Sequence, residues 1–509
     1  MNAQTFFEHH GIDANPFAAE EARLDPIFER LPGGATDHPD FGKIIGPIDQ
    51  PATAVVFGEK GSGKTAIRLM LGKKINEHNK HQGNAPVLVV AYDDLNPVLD
   101  KLLSAKRQKA DTMLSKFRLE DHQDAILARA MTKLVSAMLD EKDHTPEPAP
   151  KIDMSRKAIK ALPKQTRIDL AVLAALYDEP ASGSALPRFE KLKKKLSIGW
   201  HLPQWWVLTK AIVYSAAAGV LYIMHRIMED NPVWLMPALI IAGLTALALW
   251  GYFFYKQFKI WSLARRATRE MPAVKRGADV LRKMFEQFRS SQLAGQPIPT
   301  PPRGDTQLGD TRYQLTRRFI TAISEMGFAG MVVFIDRMDE PTLVHGDAEK
   351  MKAIAWPMFD NKFLKQERVG MKLLLPLELR YELARESATF FQEARLDKQN
   401  LVDQLTWSGA TLYDLCNKRL AACHTGQGET PTLRSIFAED VSREMLIDAL
   451  DQMHQPRDAF KFLYAALQEH CRLVADDEKN YNIARITLET VRRDQSKRVQ
   501  ELYRGRGPA

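Results

Sequence analysis

Gly58-Glu59-Lys60-Gly61-Ser62-Gly63-Lys64-Thr65 matches the spacing G-x-x-x-x-G-K-[ST] at every specified position, and its flanks are those the spacing needs. Ala54-Val55-Val56-Phe57 in front of it is a short apolar run suited to a buried strand, and Ala66-Ile67-Arg68-Leu69-Met70-Leu71 behind it opens a helix. Gly61 and Gly63 let the backbone fold tightly, so that several N–H groups converge while the helix N-terminus adds positive field. Such a cradle suits phosphate oxygens. Lys64 is then expected to reach the β- and γ-phosphates and the Thr65 hydroxyl to ligate Mg²⁺, with Gly58 through Thr65 as the predicted cofactor-binding set.

A partner for that loop lies far downstream. Met331-Val332-Val333-Phe334-Ile335 is a second buried-strand run and ends in Asp336-Arg337-Met338-Asp339-Glu340. An acidic residue at the C-terminal end of such a strand stands where Mg²⁺ needs an oxygen ligand, so Asp336 joins Thr65 in the predicted metal site. Arg337 occupies the next position, so a water-polarising base must come from Asp339 or Glu340, one turn on. Arg337 itself reads as a salt-bridge partner.

Two apolar segments intervene. Val207 to Met224 is broken only by Lys210, and Val233 to Tyr255 carries no formal charge. At about 1.5 Å per residue each can cross roughly 30 Å of hydrocarbon. Trp205, Trp206, Trp234, Trp250, Tyr252 and Tyr255 fall near their ends, as interfacial aromatics do. Basic residues crowd both outer flanks: Arg188, Lys191, Lys193, Lys194 and Lys195 before, and Lys256, Lys259, Arg265, Arg266, Arg269 and Lys275 after. The short connection His225 to Pro232 holds only Arg226. The positive-inside rule therefore predicts a transmembrane hairpin with both flanks, and hence both terminal regions, cytoplasmic. A sheet shared by the Lys64 and Asp336 strands also demands an even number of crossings. Within the hairpin, Ser215 and Gly219, and Ala238, Ala242 and Ala246, are spaced for close helix approach, within the pair or in a homo-oligomer.

Composition sets the outer bounds. A chain of 509 residues suggests about three domains at ~150 residues each, and Lys and Arg exceed Asp and Glu by 8. Much of that excess flanks the hairpin, which points to anionic lipid; no nucleic-acid-binding motif is recognised. Cys416, Cys423 and Cys471 form no metal-ligand spacing and read as reduced, buried residues. Met1 to Glu8 lacks the basic and apolar regions of a cleaved leader.

The remaining pattern gives boundaries: 1–46 an N-terminal segment with a charged helix-like stretch to Arg30; 47–98 the first half of the core, including a strand from Pro86 to Tyr92; 99–206 a helical insertion. The hairpin spans 207–255, a juxtamembrane helix and Pro-rich linker 256–310, the second half of the core 311–400, and a helical lid and tail 401–509. The prolines of His144 to Pro150 read as a linker, and Arg504 to Ala509 as a frayed tail. Met371 to Leu375 is a fourth strand candidate, with Arg380 the nearest polar sensor but better placed on the following helix. Gln455-Pro456-Arg457-Asp458 opens a lid helix, where Arg457 either reports the γ-phosphate or pairs with Asp458.

The Asp336-x-x-Asp339-Glu340 spacing resembles the modified Walker B of STAND ATPases, and Pro456-Arg457-Asp458 resembles the sensor-2-like motif of STAND-related and AAA+ lids. With a hairpin inserted between Walker A and Walker B, the chain resembles the KAP-type P-loop NTPases from about residue 50 to 470. That resemblance implies an α/β fold of ASCE type: a parallel sheet with helical insertion, transmembrane hairpin and C-terminal lid. It also implies an ATP hydrolase on the cytoplasmic face of the bacterial inner membrane, using ATP and Mg²⁺, with Lys64, Asp339, Glu340 and Arg457 in catalytic roles and some members linked to phage exclusion. The alternative expectation is a low-turnover nucleotide-binding scaffold that recruits a partner protein to the membrane.

Overall fold

The computed structural model describes residues 1–509 apart from 19–20, 32–37, 82, 107–108, 142–146, 148, 151, 182, 200–202, 229–231, 302–309, 476–477 and 504–509. The tail from Arg504, parts of the His144–Pro150 and Gly295–Gly304 stretches, Glu229 to Asn231 and the Trp205 side chain lie outside the described residues. The chain divides into two units: Met1–Asn96 with Thr145–Pro150 and Ala329–Ala509, and Pro97–His144 with Lys151–Phe328.

The first unit is built on a five-stranded sheet of β1 (Ala54–Gly58), β2 (Val87–Tyr92), β3 (Gly330–Ile335), β4 (Val369–Pro376) and β5 (Asn400–Val402), in the order β2-β3-β4-β1-β5. Every pairing is parallel. Parallel strands covered on both faces read as near-continuous apolar runs, and β1, β3 and β4 are buried at every position. Ile67, Leu71 and Ile75 of the Lys64–Lys80 helix pack with Val56, Val89, Phe334 and Leu374. Lys372 is the exception in β4: its ammonium donates to the carbonyls of Ile44 (2.7 Å), Ile45 (3.0 Å) and Ala52 (2.7 Å). Those three acceptors are what make a buried lysine tolerable inside a strand.

Sequence reading finds four of these strands and misses β5, whose three residues show no periodicity. The expected charged helix up to Arg30 is only Pro26–Arg30; Asp25 accepts the Ile27 N–H at its start and Pro26 fixes the first helical φ. Both ends of the chain share one apolar core. Phe6, Phe7, Ile12, Phe17 and Ile27 pack with Leu412, Cys416, Leu446, Phe462 and Leu463 from the helices Gly409–Ala422, Arg443–Asp451 and Pro456–Leu473. All three cysteines are free and buried; burial pushes the Cys416 thiol up to about 12 and that of Cys423 to about 11.

The second unit is helical. Leu119–Met138, Lys164–Tyr177 and Asp310–Glu325 are joined by a fully buried network in which Asp124 accepts from Tyr177 Oη (2.8 Å) and from Arg312 Nη2 (3.2 Å). Pro203–Ile227 and Leu235–Glu270 pack against one another, and both are long and apolar enough to cross a membrane. Ala242 and Ala246 are buried in that pairing, whereas a Cβ on Gly219 would meet nothing within 4 Å. Trp250 Nε1 donates to Ser215 Oγ between the two helices at 3.2 Å. Leu235–Glu270 runs unbroken for 36 residues, about 54 Å, well past Tyr255.

Candidate functional site

Because all five strands run the same way, the segments following them emerge on one edge of the sheet. The loop after β1 turns through Gly61 and Gly63, at φ 99° and 90°, a backbone region that only glycine adopts without strain. Gly61 has a second constraint: a Cβ there would stand 2.7 Å from Gln455 Oε1 and 3.3 Å from Arg457 Cβ. Lys64, at the first position of the Lys64–Lys80 helix, donates to the carbonyls of Gly58 (2.7 Å) and Glu59 (2.9 Å).

Across 271 residues of chain, Thr65 Oγ1 donates to Asp336 Oδ2 at 2.9 Å. Asp336 is 1% exposed, so burial raises its carboxyl above the ordinary range, while the Thr65 hydroxyl, Lys64, the Arg337 N–H and Arg68 oppose that rise. Arg337 adopts φ 61°, which is strained for a residue with a side chain, and its guanidinium pairs with Glu340. That ion pair holds the Arg337 guanidinium above its usual range. Of the two expected bases, Glu340 is paired with Arg337, while the Asp339 charge bears on Lys64. Burial lowers the Lys64 ammonium; Asp339, Asp336 and Glu378 pull it back up in that order, and Arg457 lowers it further.

Glu378 was not anticipated. It lies two residues beyond β4 in the first turn of Leu377–Leu383, where an acid would ordinarily read as a helix-dipole partner. Arg380, the expected polar candidate near that strand end, lies on the same helix and pairs with Asp403, the residue after β5, at 2.8 Å. The C-terminal segment supplies further contacts to the loop: Trp407 Nε1 donates to Ser62 O at 2.8 Å, and Gln455 donates to the Glu59 carboxylate. Arg457, at the start of Pro456–Leu473, has a buried Nε without a hydrogen-bond partner, and so has Ser62 Oγ.

A buried arginine sits below the loop. Arg68 pairs with Asp93 (3.1 Å) and Glu147 (2.7 Å) and lies over the Phe334 ring. Glu147 is buried and its side chain fills the space beside Gly72. The expected linker at His144–Pro150 thus includes a docked residue, because a carboxylate there neutralises Arg68.

Chemically, Lys64 and the start of its helix can receive an anion, and Thr65 with Asp336 can offer two hard oxygen ligands. Among the described residues no group of three or more His, Cys, Asp or Glu side chains is placed to hold a metal ion. Two oxygens nevertheless fit a cation that keeps water and substrate oxygens as its other ligands, as Mg²⁺ does. Comparison with protein-family models and with curated proteins gives no match for this chain.

Proposed function

We propose that this chain is a membrane-anchored P-loop ATPase, of the KAP-type or STAND-related kind its motifs resemble, acting as a nucleotide-dependent switch. The observation that carries the proposal is the Thr65–Asp336 hydrogen bond, which brings the two expected Mg²⁺ ligands together from opposite sides of a long insertion. When bound, Mg–ATP supplies the phosphoryl group and the cation that withdraws charge from its oxygens. Lys64 would exchange the Gly58 and Glu59 carbonyls for phosphate oxygens, and Thr65 and Asp336 would hold the cation. Asp339 would orient the attacking water, since its charge bears on Lys64 while Glu340 is held by Arg337. Arg457, with its unpartnered Nε beside Gly61, meets the developing γ-phosphate charge and couples its loss to the lid.

The membrane part of the proposal rests on exposure. Protein covers only 6% and 11% of the two apolar windows, unlike the core helices of a soluble fold. Ile241, Leu244 and Leu247 are 63%, 62% and 71% exposed. Such a band of aliphatic surface is stable against lipid and costly against water. The resemblance extends the proposal to the cytoplasmic face of a bacterial inner membrane and to a role in defence against phage.

The Arg337–Glu340 ion pair favours a second reading, a nucleotide-binding scaffold of low turnover. Phosphate release by purified wild-type protein, Lys64→Ala, Asp339→Asn and Glu340→Gln separates the two. The ATPase reading expects losses of about a hundredfold or more in Lys64→Ala and Asp339→Asn, with Glu340→Gln retaining most activity. Equal release from all four proteins refutes it, and tight ATP binding without release supports the scaffold.

A further inference from the structure

The foot of the Leu235–Glu270 helix carries a cavity of about 370 Å³ in the second unit, remote in sequence from the loop and from Asp336. Its lining includes Arg118, Arg265, Thr268, Arg269, Glu270 and Ala278. Three arginines and one glutamate thus contribute to the lining. Arg118 enters as the residue preceding the Leu119–Met138 helix, with its backbone N–H bonded to Asp121 Oδ2 at 3.1 Å. Arg265 and Arg269 are one turn apart on the long helix, and among the described residues neither pairs with a carboxylate. Arg265 lies over the Trp261 ring, 5.1 Å from its centroid.

A second, independent feature points the same way. Ala278 is the first residue of the Ala278–Phe285 helix, whose preceding Gly277 provides no side chain to cap it. The N–H groups of that first turn have no intrahelical acceptors and carry the positive end of the helix dipole, with Asp279 the one acidic residue in that turn. Three like charges gathered around one opening repel one another unless an anion lies among them. Guanidinium forks and free helix N–H groups together match the several oxygens of a phosphate better than the two of a carboxylate.

The geometry points to a binding site for a phosphate-bearing anion in this cavity, held by Arg118, Arg265 and Arg269 and by the first turn of Ala278–Phe285. Exposed Phe258 and Trp261 immediately precede Arg265 on the same helix. If the hairpin lies in a bilayer, that aromatic end places the arginines at headgroup depth, so the phosphate is that of an anionic lipid. A soluble phosphate would use the same contacts.

The test uses full-length protein in neutral detergent carrying Lys64→Ala, so that the glycine-rich loop contributes no phosphate binding. Two probes are titrated separately: inorganic phosphate, followed by ³¹P line broadening, and dihexanoyl phosphatidylglycerol, with dihexanoyl phosphatidylcholine as the zwitterionic control. At least one of the first two probes is expected to bind with one-to-one stoichiometry and at least tenfold more weakly when Arg118→Gln, Arg265→Gln and Arg269→Gln are combined. Phosphatidylglycerol binding without phosphate binding assigns the site to lipid; binding of both assigns it to phosphate in either form. Arg265→Gln alone replaces an exposed side chain, and its expected loss of at least threefold carries the test if the combined variant fails to fold. Affinities unchanged by these substitutions, or phosphatidylcholine bound as well as phosphatidylglycerol, overturn the proposal. The outcome does not depend on ATP hydrolysis.

Discussion

Lys64 stands among Asp336, Asp339, Glu378 and Arg457, a balance of charges that would be wasteful in a structural turn and is suited to handling a phosphate. If Arg457 meets charge that develops during phosphoryl transfer, Arg457→Ala should lower turnover by roughly a hundredfold while ATP affinity changes less than tenfold, as single-turnover rates and equilibrium binding would report. Equal losses in both would make it a binding residue. Lys372 tests a different claim, that the sheet tolerates a buried ammonium only through its three carbonyl acceptors. Burial pulls that ammonium down to about 7. Lys372→Met should cost about 2–4 kcal/mol in denaturant unfolding, because it orphans buried carbonyls even as it removes a charge. At this scale the sequence was readable where chemistry is local: the meeting of Thr65 with Asp336 follows from spacing and strand-end position. Glu378 was not, since an acid in a helix's first turn has an ordinary reading, and neither was the pairing that takes Arg380 to Asp403.

Elements were legible in proportion to their length and apolar character. Strands β1 to β4 announce themselves as buried runs, whereas β5 exists only because β1 offers it a free edge. The docking of Glu147 had no local signal, because its partner Arg68 lies 79 residues away on the helix after the loop. In the second unit, the helices Leu119–Met138, Lys164–Tyr177 and Asp310–Glu325 meet at Asp124, whose carboxyl is raised to about 6 by burial against the opposing pull of Arg312 and Tyr177. A folded pKa above the unfolded value means that the native state holds the extra proton. The stabilising contribution is full below about 4 and is lost as pH rises through about 6. Unfolding free energy of the wild type should therefore fall by roughly 2 kcal/mol relative to Asp124→Asn between pH 4 and pH 6.5. Parallel curves for the two proteins would remove Asp124 as the titrating group.

The whole molecule joins a sheet whose strands come from both ends of the chain to an inserted helical unit carrying two long apolar helices. The shared core of the N-terminal segment and the lid was invisible in sequence, since residues such as Phe6 and Phe462 meet only through the fold. Leu244→Arg, on the exposed face of the longer apolar helix, should reduce the carbonate-resistant membrane fraction, because a central arginine costs about 2.5–3.5 kcal/mol on insertion. An unchanged fraction would indicate attachment by some other surface. The account as a whole stands on the meeting of Lys64, Thr65 and Asp336 at one triphosphate and one magnesium ion. Equilibrium ATP binding by the full chain in detergent, measured with and without Mg²⁺ for wild type, Lys64→Ala and Asp336→Asn, tests it most directly. Wild type should bind at least tenfold more tightly with Mg²⁺, Asp336→Asn should lose that Mg²⁺ enhancement, and Lys64→Ala should lose binding under both conditions. ATP affinity equal in all three proteins, or indifferent to Mg²⁺ in the wild type, would contradict it.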